Sequence, residues 1–277
     1  MRLGGYVKSA FDGPEQWANE VLRHGYRATP CPIDYKADDA TVTAYKEIAQ
    51  RSDIVISEVG AWGNPISPDA SLRATAIEFA QKQLELADRI EARVCVNITG
   101  SKSAQWDGPH SDNFTDDTFA LIVDSIREII DAVKPTRTFY ALETMPWAFP
   151  DSADSYLQLL SAVDRPQLAV HFDPVNMISS PRVLYRNGHM IRDFIAKLGP
   201  HIRNCHAKDI SIGSKLTVHL EETLPGTGQL DYVTFLTELS RLDPDLPLLI
   251  EHLDREEDYL QAFSYIKGTA VELGIPC

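Results

Sequence analysis

The 277-residue chain has only four cysteines, Cys31, Cys95, Cys205 and Cys277, scattered without a CxxC pair. That spacing argues against a thiolate zinc site and offers no short secreted framework to staple, so reduced thiols are expected, with Cys95 and Cys205 buried. No apolar run is long enough to cross a bilayer, and the opening MRLGGYVKSAF lacks the apolar core of a signal peptide. A soluble, cytoplasmic protein is the expectation. Basic residues are also scarce: 26 Lys and Arg stand against 40 Asp and Glu, a formal charge of −14. Nucleic acid and anionic membrane call for a basic stripe, so neither is expected as a partner, and a small-molecule substrate fits better. Neither GxGxxG nor GxxxxGK[ST] follows an early strand-like run, so dinucleotide and P-loop sites lack their signatures.

What is present is a repeated alternation. Eight short runs have β composition: RLGGYV, GYRATP, DIVISEV, ARVCVNITGS, RTFYALETM, QLAVHFD, IRNCHAKD and LPLLIEH. Between them lie segments of helical spacing. One puts Ala76, Phe79, Ala80, Leu84, Ala87 and Ile90 on one face; another puts Phe119, Ile122, Val123, Ile126, Ile130 and Val133 on one stripe, stopped by Pro135. Strands alternating with helices imply parallel pairing through right-handed crossovers. Eight such units predict one closed (β/α)8 TIM barrel, an α/β domain spanning residues 1–277, with an open doubly wound sheet as the second choice.

In such a barrel the functional side chains sit where strands end. Glu143, Asp173, His206 and Glu251 end the fifth to eighth runs, hence neighbouring strands. Each has an ordinary reading alone; Glu143 could pair with Arg137, and Asp173 could begin a turn before Pro174. Together they do not, because burying three carboxylates side by side without a cation costs several kcal/mol or forces protonation. Carboxylates with an imidazole suit one divalent ion, Mn²⁺, Mg²⁺, Co²⁺ or Zn²⁺. By strand alternation His206 and Lys208 share an inward face, and Asp209 orients or neutralises a neighbour. Glu58, Trp62, Asn97 and Ser101 occupy the third and fourth ends, and Trp147 follows Glu143; these groups, with His171 and Asn176, are candidate substrate contacts. His219 and Glu222 precede the turn PGTGQ, in a segment able to fold over the mouth.

These residues resemble the sugar isomerase and epimerase superfamily with the xylose isomerase-like barrel, which includes ketose 3-epimerases, inosose dehydratases and hydroxypyruvate isomerases. HAKD is similar to that family's H-x-K-D strand and PGTGQLDY to its G-x-G-x-x-D turn. The resemblance implies that Glu143, Asp173, His206 and Glu251 bind the metal, manganese first. It also implies that Glu143 and Glu251 flank the substrate carbon as proton-transfer groups and that Lys208 points to substrate oxygens. Asn176 departs from the family pattern, which places histidine three residues after the aspartate. The extra histidines of endonuclease IV-like enzymes are missing from SEVGAW and CVNITGS.

A metal-dependent isomerase or epimerase of a sugar or keto-sugar, working through an enediolate, is therefore expected. A lyase that expels a β-substituent from the same intermediate, such as a dehydratase of a keto-inositol or an enzyme cleaving an oxidised glycoside, is the alternative. A noncatalytic, metal-stabilised sugar-binding or partner subunit is the alternative from another class. The carbohydrate is the expected small-molecule partner, and the chain leaves a homo-oligomer open.

Overall fold

In the computed structural model, which describes residues 1–277, every one of the eight β-type runs forms a strand. They are β1 (Arg2–Gly5), β2 (Ala28–Thr29), β3 (Val55–Ile56) with β4 (Glu58–Gly60), β5 (Val94–Asn97), β6 (Phe139–Glu143), β7 (Leu168–Phe172), β8 (Ile202–Ala207) and, further on, β11 (Pro247–Ile250). The sheet order is β3-β2-β1-β11-β8-β7-β6-β5-β4, parallel throughout. Only Ser57 separates β3 from β4, so the two ends of that order are one stretch of chain and the sheet closes on itself. Closure removes the open-sheet alternative. It also leaves no unpaired parallel edge.

The helices α1 (Gly13–Arg23), α2 (Asp39–Arg51), α3 (Ala70–Ile90), α4 (Asp116–Val133), α5 (Ala153–Val163), α6 (Pro181–Leu184), α7 (Asn187–Leu198), α8 (Tyr232–Leu239) and α9 (Glu256–Glu272) make the outer layer. The signals that bound α4 are local. Thr115 accepts a hydrogen bond from Thr118 N, Asp116 and Asp117 suit the positive end of the helix dipole, and Lys134 turns left-handed just before Pro135. Its stripe buries Ile122, Val123, Ile126, Ile129 and Ile130. Each such aliphatic contributes about 1.5–3 kcal/mol relative to exposure. On α3 the buried face is rotated slightly from the expected one: Ile77 and Gln83 are buried, while Phe79 stays half-buried. Gln83 is polar yet inward because its Nε2 donates to Gly60 O at 2.6 Å.

The barrel interior is narrow and lined by small residues. Val94, Val96, Ala141 and Ala169 form a cluster separate from the 62-residue core between sheet and helices. Above it the interior turns polar. A register shift between β7 and β8 at Val170/His171 brings His171 level with Asn204, and Leu249 of β11 is level with His206. A bulge of this kind re-aims side chains, and here it puts the ends of β7 and β8 in phase.

A second feature was not expected as a strand pair. Immediately after β8, β9 (Asp209–Ile212) and β10 (Leu220–Thr223) form an antiparallel hairpin. Asp209, the last letter of HAKD, ties this hairpin to the glycine turn: its Oδ2 accepts from Gly226 N (2.9 Å) and Gly228 N (3.0 Å), and its Oδ1 from Leu230 N (2.9 Å). A Cβ on Gly228 would sit 2.2 Å from Asp209 Oδ1, so the turn needs glycine at that point. The two quoted motifs are thus one hydrogen-bonded unit.

Candidate active site

Inward alternation on β6, β7, β8 and β11 carries Glu143, Asp173, His206 and Glu251 to one spot. One ligand atom from each lies within 4.8 Å of all the others, and all four residues are buried. Lys208 joins them: its Nζ stands 2.8 Å from Asp173 Oδ2 and 2.9 Å from Glu251 Oε1. His206 turns Nδ1 toward Glu251 Oε1 (2.7 Å) and Glu143 Oε1 (3.2 Å). Its other nitrogen, Nε2, is 3.1 Å from Glu58 Oε2.

Below the tetrad is a polar floor. Glu58 Oε2 accepts from Asn204 Nδ2 at 2.6 Å, and Asn204 also reaches His171 Nδ1 at 3.2 Å. Tyr6 OH donates to Glu58 Oε1 at 3.3 Å. The His171 and His206 rings meet edge to face, with centroids 3.9 Å apart.

These surroundings set the protonation states. Burial raises Glu143, the charge of Glu251 adds to it, and His206 and Lys208 pull it back to about 7. For Glu251, burial also pushes upward, but His206 and Lys208 outweigh it and hold the carboxyl well below its usual range. Burial opposes charge on His206, yet Glu251, Glu58 and Glu143 together hold it well above the ordinary histidine value. His171, buried and beside the charged His206, is held well below it and is neutral. Burial opposes charge on Lys208 too, but Asp173, Glu251, Glu143 and Glu222 keep it an ammonium.

Four acidic side chains, Glu58, Glu143, Asp173 and Glu251, are buried around one lysine and one histidine. So dense a buried acidic cluster calls for further cationic compensation. Asp173 Oδ2 and Glu251 Oε1 are fully buried and make no hydrogen bond, although Lys208 lies at ion-pair distance from both. Three carboxylate oxygens and one imidazole nitrogen form a hard-to-borderline donor set, so these residues fit a divalent metal. A second group, Glu58, His171 and His206, also brings donor atoms within 4.8 Å. It fits less well, because Glu58 Oε2 and His171 Nδ1 are already engaged with Asn204.

The tetrad opens into a cleft of ≈ 1120 Å³, to which Glu143, Glu251, Lys208 and Asn176 contribute. The family model for the xylose isomerase-like TIM barrel matches residues 18–269. The chain belongs to the xylose isomerase-like TIM barrel family. Three solved structures illustrate the likeness. D-psicose 3-epimerase with D-tagatose from Clostridium cellulolyticum H10 superposes at a TM-score of 0.71 with 16% identity, covering 100% of both chains. The probable 3-DHS dehydratase AsbF, involved in petrobactin synthesis in Bacillus anthracis, gives 0.69 and 16% over 98% of this chain and 99% of that one. A xylose isomerase-like TIM barrel protein from Mycobacterium smegmatis in complex with magnesium gives 0.67 and 14% over 96% and 91%. At such identities the likeness is one of fold. No curated protein matches the sequence.

Within this xylose isomerase-like barrel the expected substrate contacts separate into two sets. Trp62, Trp147 and Asn176 line the cleft. Asn176 Nδ2 donates to Glu143 Oε1 at 3.1 Å, and Lys208 Nζ donates to Asn176 Oδ1 at 3.3 Å, so the residue standing where the family pattern has histidine is bound to the tetrad. Glu58 and His171 are instead in the buried floor, one layer beneath the tetrad, with no surface on the cleft. Asn97 is level with Leu142 on the helix side of the sheet. Its Oδ1 accepts from Ile98 N (2.9 Å) and Gly63 N (3.3 Å), fixing the loop that carries Trp62. Ser101 is fully buried and tethers Asn113. His219 lies in the hairpin connection and is not itself a lining residue, although its neighbours Val218 and Leu220 are, and Glu222 from β10 lines the cleft.

Glu222 accepts from Lys208 Nζ at 3.3 Å, and its Oε2 is 2.9 Å from His252 Nδ1. His252 directly follows Glu251 and has a left-handed backbone, φ 58. Glu222 was expected in a segment over the mouth, whereas His252, Tyr6 and Lys8 escaped the sequence reading. The signal for Tyr6 was available, since it directly follows β1; nothing in the sequence pairs Glu222 with His252.

Proposed function

We propose that the chain is a divalent-metal-dependent isomerase or epimerase of a keto-sugar. The carrying observation is the buried tetrad of three carboxyl groups and an imidazole, with Asp173 Oδ2 and Glu251 Oε1 making no hydrogen bond, at the base of an open cleft. Glu143, Asp173, His206 and Glu251 would hold the metal, with manganese, magnesium, cobalt and zinc all compatible with the donors. When bound, such an ion acidifies the C–H beside a chelated carbonyl and stabilises the resulting enediolate.

The chain supplies the proton transfers. Glu143 and Glu251 stand on the outer two of the four neighbouring strands, with Asp173 and His206 between, so a carbon held over the tetrad has a carboxylate on either side. One removes the proton and the other returns one, to the opposite face or to the neighbouring carbon. Asn176 orients Glu143 by its amide hydrogen bond. Lys208, charged and at the cleft floor, donates toward a substrate oxygen. Fold-level likeness to sugar epimerases supports this reading by analogy.

A lyase reading is favoured by one observation: the Glu222–His252 pair at the cleft mouth offers an additional acid for a departing oxygen. A neighbour of the same fold is a probable dehydratase. The noncatalytic alternative leaves the paired carboxylates and Lys208 without a use. Incubation of Mn²⁺-loaded protein with candidate keto-sugars in D₂O, followed by product analysis, tests the set. Deuterium entering the recovered or isomerised sugar supports the leading reading; loss of a β-substituent selects the lyase; no exchange with any keto-sugar contradicts both.

A further inference from the structure

Of the chain's 26 lysines and arginines only Lys208 is buried, at 3% exposure. A buried ammonium needs anionic or polar partners, and Lys208 has two sets of them. The inner set belongs to the tetrad: Nζ lies 2.8 Å from Asp173 Oδ2, 2.9 Å from Glu251 Oε1 and 3.8 Å from Glu143 Oε1. The outer set is on the cleft side, where Nζ donates to Asn176 Oδ1 and to Glu222 Oε1, each at 3.3 Å.

The two sets differ in kind. Asp173 Oδ1 is taken by the backbone N–H groups of Val175 (2.9 Å) and Asn176 (3.3 Å), which leaves Oδ2 as the oxygen this carboxylate offers to a cation. Glu251 Oε1 is likewise turned to the tetrad, 2.7 Å from His206 Nδ1. Neither oxygen accepts an aligned hydrogen bond, so the inner contacts with Lys208 are short and ionic. They are also the contacts that a divalent ion would claim.

The outer contacts are longer but directional, and their acceptors are already fixed. Asn176 Nδ2 is bound to Glu143 Oε1, which turns Oδ1 toward Lys208. Glu222 Oε2 is engaged by His252 Nδ1 at 2.9 Å, which leaves Oε1 for the ammonium. The backbone of Lys208 is anchored between β8 and β9, its carbonyl accepting from Tyr232 OH at 2.7 Å. Passage of the ammonium from one set to the other is therefore a side-chain rotation.

We propose that Lys208 is a resident counter-ion of the tetrad. Its ammonium holds the ligand oxygens of Asp173 and Glu251 until a divalent cation enters, then moves to the outer seat made by Asn176 and Glu222. Two cations sharing those oxygens in a buried site would repel strongly. The exchange keeps the carboxyl groups compensated throughout, and it presents the ammonium to the cleft, where a substrate oxygen would meet it. This rests on reading the tetrad as a metal seat and on no particular reaction.

The test reads stability, metal affinity and amine exchange, with no turnover. Lys208→Met should lower the Tm of protein held in EDTA, because the carboxyl groups lose their counter-ion. It should also raise Mn²⁺ affinity in isothermal titration by about tenfold, because no ammonium has to leave. Glu222→Gln, which weakens the outer seat, should lower Mn²⁺ affinity several-fold in the parent chain and leave it unchanged in the Lys208→Met background. Equal Tm losses with and without Mn²⁺ at unchanged affinity would mean packing alone, and weaker Mn²⁺ binding by Lys208→Met would mean that the lysine assists the metal; either overturns the proposal. So does an equal effect of Glu222→Gln in both backgrounds.

The unaltered protein decides the point where a variant fails to fold. With ¹⁵N-labelled lysine, the single buried ammonium should give a signal protected from water in EDTA, and saturation with diamagnetic Mg²⁺ should make its proton exchange markedly faster. Mg²⁺ that binds without changing this protection overturns the counter-ion exchange and leaves the metal seat standing. Failure of both Mn²⁺ and Mg²⁺ to bind overturns the two together.

Discussion

The acidic wall of the cleft comes from strand ends: Glu143, Asp173, His206 and Glu251 sit on β6, β7, β8 and β11, four neighbours in one sheet. The indole wall comes from loops after β4, β5 and β6, and is fixed by hydrogen bonds among Asn64, Ser101 and Asn113. Strand ends tied into a parallel ladder hold charged atoms to within a few tenths of an ångström, which proton transfer demands. Loops tolerate change without harm to the core. The comparison teaches that position in the barrel sets how firmly a side chain is held: the ionisable cluster rides on the ladder, the indoles on the loops.

Breaking the acidic wall should have the largest effect. Glu143→Gln and Glu251→Gln should each reduce solvent-deuterium exchange by about 10²–10⁴-fold, the usual range for a lost general base or acid. Unfolding curves close to those of the parent chain would show that the loss is chemical. Exchange at the parental rate in both variants would remove the proton-transfer assignment.

One layer down, Glu58→Gln sharpens the comparison between the tetrad and its floor. Glu58 accepts from His206 Nε2, which leaves Nδ1 directed at the other three ligands. Partners of this kind are worth about 10–100-fold in metal affinity, and isothermal titration with Mn²⁺ should show a loss of that size. Unchanged affinity would make Glu58 a packing residue only.

Acidity gives a smaller and reversible effect. Glu143 is raised to about 7 and His206 well above its usual value, so both carry protons that a metal must displace. Mn²⁺ affinity should therefore rise with pH through 7, on the order of tenfold per unit for one proton released, and the heat should depend on buffer ionisation. In chelator the raised Glu143 has the matching stability sign: its contribution is full below 4.5 and is lost as pH rises through about 7. Thermal unfolding across that window, with and without Mn²⁺, checks it.

The smallest effect is expected away from both walls. Gly228→Ala forces a Cβ against Asp209 and should cost ~1–3 kcal/mol by overpacking, visible as a lowered Tm. Exchange by the remaining folded protein should persist, because neither the tetrad nor the indoles are touched.

Much of this architecture was legible in the amino-acid order. The eight strand runs, the α4 stripe and the four neighbouring ends follow from periodicity and from the rule that barrel function gathers at strand ends. Depth was not legible. Alternation says that Glu58 and His171 face inward, but only the stagger of β4 and β7 puts them below the tetrad and not in the cleft. Asn97 was misplaced for the complementary reason: Val94 and Val96 occupy the interior, so the next residue faces the helices. Glu222 and His252 come together across a hairpin that has weak strand composition and an exposed turn, and such long-range pairs leave no local pattern. The net charge of −14 pointed away from polyanions, and the acid-rich cleft continues that trend at the site itself.

The most direct test of the central claim is a crystal grown with Mn²⁺ and measured at the manganese absorption edge. The account predicts one anomalous peak at coordination distance from Glu143, Asp173, His206 and Glu251, with Lys208 Nζ displaced from between Asp173 and Glu251. A peak on Glu58, His171 and His206, or no peak within the barrel, would contradict it.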